Sequence, residues 1–320
     1  MNRKNVEDVL RRKFNHWTKS IEDPDIQSLV KTNTVITGGC IVSLLENQPV
    51  NDFDIYFTDK RTAKKVAKYY VDKFNIKNNT KAMLIDGSCS LDDHLNEYGS
   101  DCYSFIENSL NNTPEDRIKI VVKSEGVAED SSYQKSLEDA DNVSNIQLEE
   151  FIQQKQKDTE KGKYNPVFLS PNAITLTDKI QMVIRFYGSP EEIHKNFDFV
   201  HCTNYWLSLN GKLYTNKDAL ESLISKQLYY VGSKYPLCSI FRTRKFLKRG
   251  WHINAGQYLK MAMQLNEIDL KDVNVLEDQL VGVDTLYFLE LISMIRKETE
   301  NNPNKNIDST YIATLVDKIF

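Results

Sequence analysis

Val50-Asn51-Asp52-Phe53-Asp54-Ile55-Tyr56-Phe57 is the stretch on which the reading of this chain turns. Side chains on a strand alternate faces, so Asp52, Asp54 and Tyr56 are expected on one side and Phe53, Ile55 and Phe57 on the other. Two carboxylates then share a surface over an apolar underside. Like charges that close are costly unless one takes a proton or a cation sits between them. A hard divalent ion such as Mg²⁺, bound by one or two carboxylates and by substrate phosphates, removes the cost. The competing reading is an edge strand with a solvated acidic face.

The residues upstream weigh against the plainer reading. Thr34-Val35-Ile36-Thr37 reads as a β-branched strand, Gly38-Gly39 as a sharp turn, and Cys40-Ile41-Val42-Ser43-Leu44-Leu45 as the start of an apolar helix. Glycines at a strand-to-helix junction allow positive φ and close approach of a ligand to the backbone. They also leave the N–H groups of the helix start free to meet phosphate oxygens.

The run from Gly38 through Pro49-Val50-Asn51-Asp52-Phe53-Asp54-Ile55 resembles the signature of the DNA polymerase beta-like nucleotidyltransferase superfamily. It is most similar to the tRNA CCA-adding and bacterial poly(A) polymerase branch, and the likeness covers residues 34–57. The resemblance implies a small sheet backed by helices, Mg²⁺ or Mn²⁺ held by Asp52 and Asp54, and a nucleoside triphosphate held near Gly38 and Gly39, with Ser43 as a further phosphate contact. It also implies a third acid on a neighbouring strand. Asp198, in Phe197-Asp198-Phe199, is the candidate, while Gln181 occupies a rival strand at the place expected for an acid. His201 falls on the face opposite Asp198 and reads as structural.

The chain also departs from that branch. Val42 and Ser43 stand where the branch carries an Arg-Asp pair, and its later Asp-Phe-Thr-x-Asn-Ala motif is reduced to Asn172-Ala173. The basic, aromatic helix of the branch has a counterpart in Arg242-Thr243-Arg244-Lys245-Phe246-Leu247-Lys248-Arg249-Gly250-Trp251, without its acidic half. These differences argue against CCA addition itself. Arg242, Arg244, Lys245, Lys248 and Arg249 are candidates for phosphate or nucleic-acid binding, with Trp251 and Tyr258 available to stack on bases if exposed.

The 320 residues carry 41 Lys and Arg against 45 Asp and Glu, a net charge of −4. Bulk charge therefore excludes a protein that coats nucleic acid and leaves only local basic patches. Five cysteines without Cys-x-x-Cys spacing read as reduced thiols, and no segment is long and apolar enough to span a bilayer, so a cytoplasmic protein without a membrane partner is expected. Val6, Leu10, Phe14 and Trp17 have the spacing of one buried helical stripe. The lysines of 62–74 read as a solvated helix face.

Residues 75–163 read as a polar insertion, with a strand at 117–122 and an exposed helix around 146–160. Strands follow at 165–169, 173–177 and 180–186, with a turn at Asp178-Lys179, then a capped helix start at Ser189-Pro190 and a strand at 196–202. Beyond Asn210-Gly211 the pattern turns helical, including an apolar stripe at 286–295. The fold class expected is α+β: a mixed-sheet head over 1–215 and an all-helical domain over 216–320. The activity expected is metal-dependent transfer of a nucleoside monophosphate from a triphosphate to an RNA 3′ end. Transfer onto a protein hydroxyl, or a retired fold serving as a binding or assembly module, are the alternatives.

Overall fold

The computed structural model describes residues 2–122 and 163–270 together with positions 275, 279, 310, 313 and 314. The expected helix at 146–160 and the stripe at 286–295 lie outside the described residues. Those described fall into two units, one comprising 2–122, 163–194 and 204–215, the other 195–203 and 216–270.

The first unit opens with α1 (Arg3–Lys19), capped by Asn2, whose side chain accepts from the Asn5 N–H. Val6, Leu10, Phe14 and Trp17 are all buried, as their spacing requires. α2 (Pro24–Asn33) follows, with Asp23 accepting from two backbone N–H groups and Pro24 in the first turn. Then come β1 (Thr34–Thr37), α3 (Gly39–Leu45), β2 (Phe53–Phe57) and α4 (Lys60–Asn78). α4 buries Ala63, Val66, Ala67, Tyr70, Val71 and Phe74, and the Trp17 indole N–H donates to the Tyr70 hydroxyl at 2.8 Å. Each large apolar side chain so buried contributes roughly 1.5–3 kcal/mol.

β3 (Ala82–Asp86) and β4 (Ile118–Val122) form a separate antiparallel pair, with α5 (Leu91–Tyr98) and α6 (Tyr103–Asn111) between them. These two helices occupy part of the stretch expected to be a polar insertion. Ser90 and Asp93 form a capping box, a start signal easily lost in a polar run.

Among the described residues the main sheet has seven strands, adding β5 (Pro166–Leu169), β6 (Ala173–Leu176), β7 (Ile180–Tyr187), β8 (Tyr205–Leu207) and β9 (Lys212–Tyr214). The order is β5-β6-β7-β2-β1-β8-β9. β2 and β7 pair parallel and the other neighbours antiparallel, so the sheet is mixed. Asp178 and Lys179 both adopt φ near +60° at the β6–β7 turn. The outer strand β9 is satisfied by α1: Arg3 Nη2 donates to the Leu213 carbonyl, and the Leu213 N–H donates to Glu7 Oε1 at 2.9 Å.

The second unit contains helices Lys217–Ser225, Pro236–Leu247 and Ala255–Leu265. It is not wholly helical, since Gln227–Leu228 pairs in parallel with His252–Ile253. The expected strand at 196–202 is also absent. Residues 200–202 form a 3-10 turn, and pairing is limited to a single bridge between Phe199 and Tyr230. In this irregular segment Asp198 and Phe199 are buried together while Phe197 is only half-buried, so the alternation Phe-Asp-Phe does not set two faces as a strand would.

Candidate functional site

Gly38 lies between β1 and α3 with φ +90°, a conformation that glycine tolerates and side chains do not. A Cβ built on it would lie 3.0 Å from Asp54 Oδ2. The glycine thus serves twice, by turning the chain and by admitting a carboxylate against its backbone. Gly39 differs. It is exposed, and a Cβ there would meet nothing within 4 Å, so the space above the helix start is open. Ser43 is half-buried on α3, one turn further on.

Phe53, Ile55 and Phe57 all enter the hydrophobic core, which leaves Asp54 on the opposite face, partly exposed. Tyr56 shares that face, as the alternation predicts, and is buried there. One expectation needs correction: Asp52 precedes the strand, which begins at Phe53. The loop bearing Asp52 is fixed on both sides by Lys179, whose Nζ donates to the Val50 carbonyl at 2.7 Å and whose carbonyl accepts from the Phe53 N–H at 2.8 Å. Sequence reading marked Asp178-Lys179 as a turn without assigning it this anchoring role.

Gln181 stands directly opposite Asp54 in the parallel β2–β7 register, so the neighbouring strand offers an amide where a third carboxylate was sought. Asp198 is 5% exposed and paired with Arg242 inside the second unit, with its other oxygen, Oδ1, buried without a hydrogen-bond partner. Among the described residues, no group of three or more His, Cys, Asp or Glu side chains is arranged to hold a metal ion. Asp54 is thus the acid seated beside a cradle that any Cβ would crowd, while Asp52 stands two residues earlier in the loop that Lys179 holds.

Thr37, the residue before the glycines, brings in a group that sequence reading missed. Its hydroxyl donates to the Asn204 carbonyl at 2.8 Å and lies 2.8 Å from His194 Nε2, so the imidazole donates from that nitrogen. Burial pushes the His194 pKa down to about 4, and its ring is neutral at physiological pH. The only sequence signal was the capped helix start, which delivers Pro190–His194.

The basic run divides. Arg242 is committed to Asp198, whereas Arg244, Lys245, Lys248 and Arg249 are exposed with no acidic partner among the described residues. Trp251 is buried, its ring 4.1 Å from that of His201, so it is no exposed stacking surface, whereas Tyr258 is exposed. His201 is fully buried among Phe199, Phe246 and Trp251, and neither ring nitrogen has a partner, which agrees with a structural role. The α4 lysines are not simply solvated. Lys60 and Lys64 each hold the buried Asp86 at 2.8 Å, along a cleft of about 820 Å³ also lined by Asp23, Asp25 and Asp72. Burial raises the Asp86 pKa, but hydrogen bonds from the two lysines outweigh it and hold the carboxyl well below its usual range. Among the described residues no helix is long and apolar enough to cross a membrane.

A family model described as "Gabija anti-defense 2 family protein" matches residues 8–226. No curated protein matches the sequence. Among solved structures, the chain is similar to an apo tRNA-processing enzyme, with 13% identity and a TM-score of 0.38 over 97% of this chain and 60% of that one. It is similar to the Thermotoga maritima CCA-adding enzyme complexed with tRNA, at 12% identity and a TM-score of 0.35 over 93% and 58% of the two chains. The Bacillus stearothermophilus CCA-adding enzyme in complex with CTP gives 12% identity and a TM-score of 0.31 over 78% and 45%. The chain thus spans about half of the length of the solved proteins it matches.

Proposed function

The chain belongs to the Gabija anti-defense 2 family, and we propose that it is a metal-dependent nucleotidyltransferase that moves a nucleoside monophosphate from a nucleoside triphosphate to an acceptor, an RNA 3′ end. The observation that carries this reading is the seating of the Asp54 carboxylate against Gly38. Acid and glycine turn come from separate elements, and a side chain on the turn would crowd the acid.

Asp52 and Asp54 would hold Mg²⁺, which supplies charge neutralisation of the triphosphate and of the departing pyrophosphate. The protein's own work is alignment. Gly38 leaves room for the Asp54 carboxylate, the open space above Gly39 would admit the triphosphate to the helix start, and Ser43 offers a hydroxyl one turn along. Lys179 keeps the acid-bearing loop in place. Arg244, Lys245, Lys248 and Arg249 are proposed to meet acceptor phosphates. The family description adds opposition to the Gabija defence as the biological setting.

The test is incorporation of labelled nucleotide from each of the four triphosphates with Mg²⁺, offering RNA and protein acceptors side by side. Incorporation into RNA that vanishes in Asp52→Asn and Asp54→Asn is expected; labelled protein without labelled RNA would move the acceptor to a protein hydroxyl.

A second reading has a specific observation behind it. Gln181 faces Asp54, and Asp198 is tied to Arg242, so the described residues supply two carboxylates rather than three. A retired fold acting as a binding module fits that shortage. Calorimetry showing no Mg²⁺-dependent triphosphate binding would favour it.

A further inference from the structure

The strand registers lay a row of side chains across the face of the main sheet that carries Asp54. On one side of Asp54 stand Gln181 and then Thr175. On the other, the β1–β2 register carried one residue further sets Thr37 opposite Asp54, with Tyr205 opposite Thr37 and Tyr214 opposite Tyr205. Opposed residues share a face. The alternate positions Ile36, Ile55, Trp206 and Leu213 fill the core, so this row looks away from it.

At the outer end the two tyrosine rings stack, 4.9 Å apart with planes 10° from parallel. Both are half-buried and neither belongs to the core. Asn210 Nδ2 donates to the Tyr214 hydroxyl at 2.7 Å, and the His194 ring packs against Tyr205 with centroids 5.7 Å apart and planes tilted by 58°. Among the described residues Tyr205 is the only ring against Tyr214, and no cation caps its other face. Lys212, two residues before Tyr214 and hence on the same face, is exposed with no acidic partner among the described residues. A stacked aromatic surface with an uncommitted cation beside it is the pairing that single-stranded nucleic acid uses, with base on ring and phosphate on ammonium.

Distance decides which base it takes. β9 is three strand spacings from β2, about 14 Å at ~4.8 Å each. Stacked nucleotides rise ~3.4 Å apiece, so that span is about four nucleotides. A base on Tyr214 therefore belongs to the strand leading to the reacting end, not to the nucleotide reacting at Asp54. We propose that Tyr205 and Tyr214 form a stacking platform for an internal base of a single-stranded nucleic acid acceptor, with Lys212 on its phosphate. The assignment of a reacting end to Asp52 and Asp54 rests on the transfer reading above.

The test measures binding of fluorescein-labelled hexa-adenylate and di-adenylate RNA by anisotropy, without triphosphate, alongside Mg²⁺-ATP binding. Tyr214→Leu is expected to weaken hexamer binding about tenfold and to leave the dimer and ATP unchanged, Tyr214→Phe to stay within about twofold of the wild type, and Lys212→Gln to reduce the salt dependence by about one phosphate contact. A hexamer bound equally by wild type and Tyr214→Leu overturns the platform, as does an equal loss for hexamer, dimer and ATP. If Tyr214→Leu does not fold, the wild type decides: 2-aminopurine placed in turn at each hexamer position should be quenched at an internal position, and quenching at none overturns the proposal. Hexamer binding that depends on Tyr214 without any nucleotide transfer strikes the transfer reading alone.

Discussion

Asp54 and Asp198 sit in nearly the same sequence surroundings, Phe-Asp-Ile and Phe-Asp-Phe, yet the two units put them to opposite uses. In the first unit the flanking apolar residues enter a sheet core and the acid emerges on the other face against a glycine. In the second the acid itself is buried and its charge is met by Arg242. The difference teaches that an acid between apolar residues is left accessible when a ladder fixes its face and a missing side chain makes room for it. Without the ladder, a similar triplet buries its charge and needs a counter-ion.

The widest gap between the two should appear on exchanging carboxylate for amide. Asp54→Asn is expected to cut nucleotide transfer by about 10³-fold or more, the several kcal/mol a metal-bound carboxylate supports, with little change in thermal unfolding. Asp198→Asn should leave triphosphate binding intact, and matching losses of that binding in the two variants would erase the contrast. Next in size, Arg242→Met leaves Asp198 buried and unpaired, and should destabilise the second unit by about 3–5 kcal/mol in denaturant unfolding. Adding Asp198→Leu should recover most of that loss, because the desolvated charge is then gone.

A third prediction concerns pH. Burial, with a smaller push from the Lys226 charge, lowers the His201 pKa from its ordinary 6.5 to about 3. The unfolded chain therefore takes up a proton below pH 6.5 that the folded one refuses. The stability this histidine contributes is complete above that pH and is lost as pH falls toward 3. The loss is about 2 kcal/mol by pH 5, and His201→Phe should flatten this limb in unfolding measured from pH 7 to 4. The smallest effects separate the glycines. Gly38→Ala should cost about 1–3 kcal/mol through its positive φ and its contact with Asp54, whereas Gly39→Ala should change stability by less than about 1 kcal/mol. Equal costs at the two positions would show that Asp54 does not depend on the space at Gly38.

How much of this was legible follows from where the constraints lie. The α1 stripe, the β5–β6–β7 run and the turn at Asp178-Lys179 were readable because local periodicity and turn chemistry specify them. The Gly38-Gly39 turn and the acids at 52 and 54 were legible together through the resemblance that residues 34–57 carry, and the approach of Asp54 to Gly38 is what the structure adds. The anchoring by Lys179 and the approach of His194 to Thr37 depend on tertiary contacts more than a hundred residues apart in sequence, which no periodicity records. Residues 196–202 misled for a related reason. Apolar alternation marks burial, and a strand is only one way to be buried.

The hold of α1 on β9 has a bearing on how this protein behaves when crowded. Arg3 and Glu7 already occupy the carbonyl and N–H of Leu213, and the opposite outer strand begins with Pro166, which has no N–H to give. Each margin of the sheet is thus blunted against a stray strand from another copy. The leading helix acts as a guard against self-association as well as a packing element, and Arg3→Ala with Glu7→Ala should reveal that duty as concentration-dependent aggregation of an otherwise folded chain.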